Sequence, residues 1–226
     1  MLRKPYTNLR KLLIIMATGG LMVASTISQA TVLDFNYTTT QLATGDQFGN
    51  GALLPLGSSG YISQSYGDVA GVLDVSYRYF NSSNQYTSSL QTWATGYDEL
   101  QYVAWTGSSA GGDRAEVELA SVNGSIVTLN SFRLGSWSSV GKEETVRVFE
   151  IGNNTPIIDF TGLIGVNNLS NLFNINASST SGFLIEWTNP WWTAIDSVEH
   201  TVVPVPASIW LFASAIVGFV DLRRRA

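Results

Sequence analysis

GVLDVSYRYF, residues 71–80, decides the fold. Leu73, Val75, Tyr77 and Tyr79 alternate with Asp74, Ser76 and Arg78. Side chains of a strand point to opposite faces with a period of two, so this stretch is a strand with one buried and one wet face. A helix would need apolar residues three and four apart, and nothing between 31 and 202 keeps that spacing for any length. Residues 115–122 repeat the alternation, with Val117 and Leu119 on one face and Glu116 and Glu118 on the other. Short runs of the same kind fall at 32–37, 60–66, 101–105, 126–134, 145–151, 157–160, 172–176, 182–187 and 194–202. Gly, Asn and Ser separate them, as in the loops 81–85 (NSSNQ) and 108–112 (SSAGG). Roughly ten or eleven short strands with turn signals between them predict an all-β fold, a β-sandwich spanning 31–202.

A stretch of this length is enough for a core without cross-links, and with no cysteine in the 226 residues none could form. Thiolate metal sites are excluded for the same reason. Seven tryptophans and much Gly, Ser, Thr and Asn fit an extracellular sandwich. The charge is unevenly spread. Arg3, Lys4, Arg10 and Lys11 precede any acid, and Arg223, Arg224 and Arg225 close the chain. Between 31 and 206 the balance is about −11. Nucleic-acid binding needs a basic patch and is not expected. An acidic surface suits calcium, neutral glycans or plain solubility.

The two ends carry addresses. Residues 1–30 read as a secretory signal peptide: a basic start, an apolar run over 12–23, and small residues Ser28 and Ala30 at the positions a signal peptidase reads. Cleavage is expected after Ala30. At the other end, 207–220 carries no charge and ends against the arginines. As a helix it would span roughly 21 Å, and residues 202–206 bring it nearer to the ~30 Å of a hydrocarbon core. The arginine cluster would stop it on the cytoplasmic side, leaving the middle of the chain outside.

Val203, Pro204, Val205, Pro206 and Ala207, the apolar segment with Trp210-Leu211-Phe212, and Arg223–Arg225 together resemble the tripartite sorting tail of PEP-CTERM proteins. The tail is the Val-Pro-x-Pro-Ala variant, with Val205 where the family usually has Glu. The resemblance, over 203–226, implies a protein of a Gram-negative bacterium held transiently in the inner membrane. An exosortase would recognise the proline motif, and the ectodomain would pass to the cell surface or extracellular matrix. Prolines suit such a motif, because they hold an extended segment and resist incorporation into the helix that follows. A second resemblance covers 120–200. Residues 125–135, Val146-Arg147-Val148, 183–187 and 192–198 are similar to jelly-roll domains of the galactose-binding-like kind. In those domains the last strand carries an Ala-Ile-Asp-Asn-Ile type sequence, and Ser197 stands here in place of the Asn. The likeness implies a jelly-roll type β-sandwich and no particular activity.

Catalytic groups are scarce. The one histidine, His200, lies close to the proline motif and reads as a surface residue at the end of the last strand, not as a triad base. Carboxylate pairs at Asp98/Glu99, Glu116/Glu118 and Glu143/Glu144 could in principle serve glycoside hydrolysis, but the alternation around Glu116 and Glu118 more simply makes theirs a solvent face. No enzyme is expected. Oxygen ligands for a structural Ca2+ are offered by Asp34, Asp46, Asp113 and Asp196, against the plainer reading of Asx turns and solvated loops. Trp137, Trp191 and Trp192 fall on loop-like stretches where rings could stack on sugars, Trp93 and Tyr97 lie in an irregular stretch, and Trp105 and Trp187 are expected in the core. Three functions follow. The first is a non-catalytic module binding exopolysaccharide or another matrix component. The second is a structural surface protein that self-associates, with open strand edges and no aromatic platform. The third is a glycan-active enzyme, which needs two converging carboxylates in a cleft.

Overall fold

In the computed structural model, which describes residues 29–35, 47–48, 60–107, 112–137 and 141–204, every regular element is a strand. In chain order they are β1 (Gln29–Leu33), β2 (Gln47–Phe48), β3 (Tyr61–Ile62), β4 (Leu73–Asn81), β5 (Tyr86–Ser88), β6 (Gln91–Trp93) and β7 (Val103–Trp105). There follow β8 (Gly112–Ser121), β9 (Ile126–Ser136), β10 (Lys142–Glu150), β11 (Pro156–Ile164), β12 (Asn171–Ser179), β13 (Gly182–Thr188) and β14 (Thr193–Val203). Each of the eleven sequence-predicted runs overlaps a strand, though 60–66 holds only Tyr61–Ile62 and 32–37 only the last two residues of β1; β2, β5 and β6 are additional. Ser28, Asp46, Val205, Pro206, Ala207 and Arg223–Arg225 lie outside the described residues, as does the side chain of Asp113.

The strands form two sheets, a sandwich. One has the order β11-β10-β13-β8-β4-β5. The other runs β12-β9-β14-β7-β6-β3-β2, with β1 also paired to β14. Every pairing is antiparallel except β2 with β3. The 71–80 alternation is realised: Leu73, Val75, Tyr77 and Tyr79 are buried while Asp74 is exposed. With Val117 and Leu119 of β8, Val146 and Val148 of β10, and Ile185 and Trp187 of β13, they face Val127, Leu129, Phe132 and Leu134 of β9. Burying each large side chain contributes about 1.5–3 kcal/mol. At the β11–β12 rim, Phe160 meets Phe173 edge-on at 5.4 Å, and Phe173 stacks on Phe132 at 5.0 Å, so three rings clamp the two sheets.

β14 is the spine of its sheet. One of its edges pairs with β9 along the strand, and the other takes β7 at Ile195 and then β1 from Val198 to Val202. A bulge between Asp196 and Glu199 interrupts the ladder, and Ser197 there has φ +51°. One extra residue reverses the parity of everything after it. Ile195 faces the core before the bulge, and Val198, His200 and Val202 are buried after it. This corrects the surface placement of His200. Unbroken alternation from Ile195 would have turned it outward, but the imidazole is wholly buried. Among the described residues its one side-chain hydrogen bond joins Nδ1 to the Val198 carbonyl at 3.4 Å, and burial lowers its pKa.

Left-handed backbone disfavours most L-residues, and Asn tolerates it best after Gly. Ser197→Asn is expected to raise stability by about 0.5–1 kcal/mol in urea unfolding; a loss of stability would mean that the Ser197 hydroxyl, 3.0 Å from Asp196 Oδ2, matters more than the backbone.

Candidate functional site

The outer faces of the two sheets are chemically opposite. On the six-stranded sheet, one register line crosses five strands through Arg78, Glu116, Glu186, Arg147 and Asp159. Glu116 and Glu186 stand directly opposite each other, an arrangement that would repel. Arg114 resolves it, with Nη1 3.0 Å from Glu116 Oε1 and 3.0 Å from Glu186 Oε2. Arg78 holds Glu116 at 3.0 Å and also Glu118, while Arg147 reaches Asp159 at 3.1 Å and Glu186 at 3.4 Å. Glu116 is therefore buried on a face that alternation alone would leave to solvent. Its pKa is raised by desolvation against the pull of Arg114 and Arg78. The Glu116/Glu118 pair is thus committed to guanidinium groups.

On the eight-stranded sheet, the outer face carries a second apolar cluster of Tyr97, Leu100, Val103, Trp105 and Ala194, with Trp93 and Trp191 against it. Trp93 closes β6 and Trp105 closes β7, on antiparallel neighbours. The segment between them folds back over the sheet, where Tyr97 bridges to Trp137 at the end of β9. Gly96 makes the fold-back possible: its φ is +97°, and a Cβ would lie 2.6 Å from Trp137 Cζ3. Trp191 arrives on a tight turn from Asn189, whose carbonyl accepts the N–H of Trp192 at 2.8 Å. The Tyr97 hydroxyl donates to the Trp191 carbonyl at 2.9 Å, tying residues 94 positions apart. Burial raises the Tyr97 pKa, so the hydroxyl stays a donor.

Between these elements lies a cleft of about 180 Å3 lined by Trp93, Tyr97, Trp105, Trp137 and Trp191. Its rings meet steeply. Trp93 and Trp105 are 5.5 Å apart at 61°, Trp93 and Trp137 6.1 Å at 64°, and Tyr97 and Trp137 5.4 Å at 67°. Trp105 and Trp191 are 4.9 Å apart at 46°. Trp137 is 38% exposed and forms the outer wall. Among the described residues no charged side chain lines the cleft. The indole Nε1 atoms of Trp93 and Trp105 are buried and have no acceptor among the described residues.

Of the sequence-predicted stacking residues, Trp137 and Trp191 come together here. Trp192 lies outside the lining, with the Lys142 ammonium 4.3 Å above its ring. Trp93 and Tyr97, whose stretch reads as irregular from the sequence, join the cluster, and Trp105, expected in the core, is buried in this second cluster instead of the main one. Trp187 is in the main core, wholly buried. Among the calcium candidates, Asp34 at the end of β1 lies close enough to Asp196 to raise its pKa, but among the described residues no group of three or more His, Cys, Asp or Glu side chains could hold a metal ion. Asp98 accepts the Ser136 N–H at 2.6 Å, and Glu99 accepts from the Ser170 N–H at 2.7 Å and hydroxyl at 2.6 Å. Among the described residues no helix is long and apolar enough to cross a membrane. The chain matches no known protein family and no curated protein.

Glu144 faces inward on β10, wholly buried, with Oε2 2.9 Å from the Thr188 hydroxyl and Oε1 unpartnered. Burial pushes its pKa up to about 7 from 4.5, against hydrogen bonds from Thr188, Asn189 and Thr193. The folded state thus keeps a proton that the unfolded chain releases across that window, so this group's contribution to stability falls as pH rises from about 4.5 to 7. Gln imitates the protonated form. Glu144→Gln is expected to be near-neutral at pH 4.5 and stabilising by about 1–3 kcal/mol at pH 8, read from urea midpoints at the two pH values.

Proposed function

We propose that the chain is an exported, exosortase-sorted protein whose jelly-roll type β-sandwich is a non-catalytic module binding polysaccharide or another matrix component. The observation that carries the binding reading is the aromatic cleft on the outer face of the eight-stranded sheet. Ring faces offer C–H contact to a sugar, and an interior this size would have no folding need for a second apolar cluster beyond the sheet. Among the described residues β11 and β12 have no strand beyond them, an edge that would suit a self-associating protein, so it is the cleft that ranks binding first. Enzymatic glycan cleavage is ranked lower because Glu116, Glu118 and Glu186 are held by arginines and no carboxylate lines the cleft.

The sorting reading rests on the tail's sequence pattern, and the pairing of β1 with β14 is consistent with it. Ala30 sits opposite Thr201, and Gln29 opposite Val202, next to Val203 and Pro204 of the proline motif.

Two outcomes are expected. Removing 204–226 releases the protein from the inner-membrane fraction as a soluble species; a truncated chain that still sediments with that membrane rules out the sorting reading. The full chain binds the exopolysaccharide of its producing cell saturably, Trp137→Ala weakens binding about tenfold or more, and Trp192→Ala leaves it within about twofold. Equal affinity in wild type and Trp137→Ala would remove the cleft from any role in glycan binding.

A further inference from the structure

One end of the sandwich is apolar in a way the core does not require. The end of β9 (Ser136), the start of β10 (Lys142), the end of β11 (Ile164), and the starts of β12 (Asn171) and β14 (Thr193) gather there. At the opposite end Val203 pairs with Ile126, next to Pro204. Of the eleven large hydrophobic side chains exposed among the described residues, six stand at the first end: Trp137, Leu163, Val166, Leu169, Leu172 and Trp192. Leu169 is the most exposed of them, at 61%. Exposed apolar side chains scattered singly need no explanation, but a concentration of them at one place marks an interaction surface.

Local bonding fixes this exposure. Residues 163–172, LIGVNNLSNL, hold no charge. Val166 and Leu169 flank a two-residue turn in which Asn167 and Asn168 have φ +60° and +59°, and the Leu169 N–H donates to the Val166 carbonyl at 3.3 Å. Positive φ at both central residues makes a type I′ turn, which suits Asn. Asn171 accepts the Gly165 N–H at 3.1 Å and donates to the Leu163 carbonyl at 3.2 Å. Gly165, at φ +76°, lies too close to Asp98 and Ser136 to carry a side chain. A segment tied down in this way holds its four aliphatic side chains outward instead of folding them onto the core.

Three features select the occupant. The first is the backbone. Hydrocarbon offers peptide groups no partner, so a segment that enters lipid must satisfy them from within, as the turn and the Asn171 amide do here. The second is the rim. Lys142 is the one cation between 31 and 206 that forms no ion pair among the described residues, and its ammonium lies 4.3 Å over the Trp192 ring. An indole and a lysine beside aliphatic tips suit a membrane–water interface, with the ring at headgroup level and the ammonium in water. The third is charge. A second copy docked end to end would bring the two Lys142 ammonium groups together, along with two domains of about −11, whereas a lipid phosphate complements the ammonium. The same net charge disfavours an anionic membrane. A sugar would find aliphatic side chains with no ring to stack on.

We infer that this end docks on a zwitterionic phospholipid surface, with Leu163, Val166, Leu169 and Leu172 among the upper acyl chains and Trp192 and Lys142 at the headgroups. The exposed amides of Asn167 and Asn168 keep the docking shallow, within the roughly 5–10 Å of an interfacial element. Docking of this kind is independent of the glycan and sorting readings.

The chain has no cysteine, so Leu169→Cys takes one environment-sensitive fluorophore, and Ser82→Cys, in the exposed turn between β4 and β5, takes the control. Each labelled full chain is reconstituted in phosphatidylcholine vesicles, with protein-free vesicles in excess so that a bilayer is within reach of this end. All vesicles are prepared with and without lipid spin-labelled near the top of the acyl chain. The Leu169 probe is expected to shift to the blue and to be quenched about threefold or more relative to the Ser82 probe. Lys142→Glu and Val166→Asn, both at the surface, are each expected to cut that quenching about twofold or more. Equal quenching at the two sites is adsorption without orientation and overturns the inference. A blue shift at Leu169 that the spin label leaves unquenched means that a second copy covers it, and this overturns lipid docking, as does a Leu169 probe as wet as the one at Ser82. Quenching unchanged by Lys142→Glu overturns the headgroup role of that lysine.

Discussion

One extra residue in one strand decides which side chains the second half of β14 gives to the core. Before the bulge at Asp196–Glu199, β14 sends Ile195 into the space between the sheets and Ala194 to the outer aromatic cluster. After it, Val198 and Val202 take over the inward role and Glu199 turns to solvent. A regular strand could not do this, because its period of two would carry Glu199 and Thr201 inward with Ile195. The bulge therefore lets the second half of the strand give Val198 and Val202 to the core while Glu199 stays in solvent, and its consequences include the burial of His200. A left-handed Ser197 and a neutral imidazole with an unpartnered Nε2 are the local costs.

The arginines have a related economy. Four of the five cations between 31 and 206 lie in ion pairs, and three of those four are spent on the outside of the six-stranded sheet. Exposed pairs there contribute little, about 0–1 kcal/mol, but Glu116 is buried, and a buried carboxylate stripped of its partner costs far more. The cations are so engaged, and the aromatic cleft on the opposite sheet is a small opening whose described lining carries no charge. The molecule thus separates a polar, self-satisfied face from an apolar, unsatisfied one.

Much of the fold was legible because most strands have one dry face. Leu73–Tyr79 and Val117–Leu119 advertise their orientation in every second residue, and each is where alternation puts it. The short strands β2, β5 and β6 were not, since two or three residues carry no period. Nor was His200, since a bulge leaves no mark in composition; the only hint was Ser197, at a position where the resembling domains carry Asn, a residue at ease with positive φ. Glu116 was misplaced for another reason. Its neighbours on the same face of β8 are Arg114 and Glu118, but much of what surrounds it, Arg78 of β4 and Glu186 of β13, comes from across the strands. The cleft was half legible. Trp137 and Trp191 were visible as loop-borne rings, while Trp93, Tyr97 and Trp105 join them through the fold-back at Gly96 and a hydrogen bond spanning 94 residues, which no local pattern announces.

Because β14 lies between β9 on one side and β7 and β1 on the other, it also decides how the domain bears load. A pull on the chain at Pro204, directed along the strand, does not peel an edge. It must slide β14 past neighbours on both flanks, straining the rungs from Val203–Ile126 back to Thr193–Ser136 together. Shear of this kind shares force over many hydrogen bonds at once, where unzipping breaks them singly. A domain loaded through this strand would therefore yield along its whole length at once, not rung by rung.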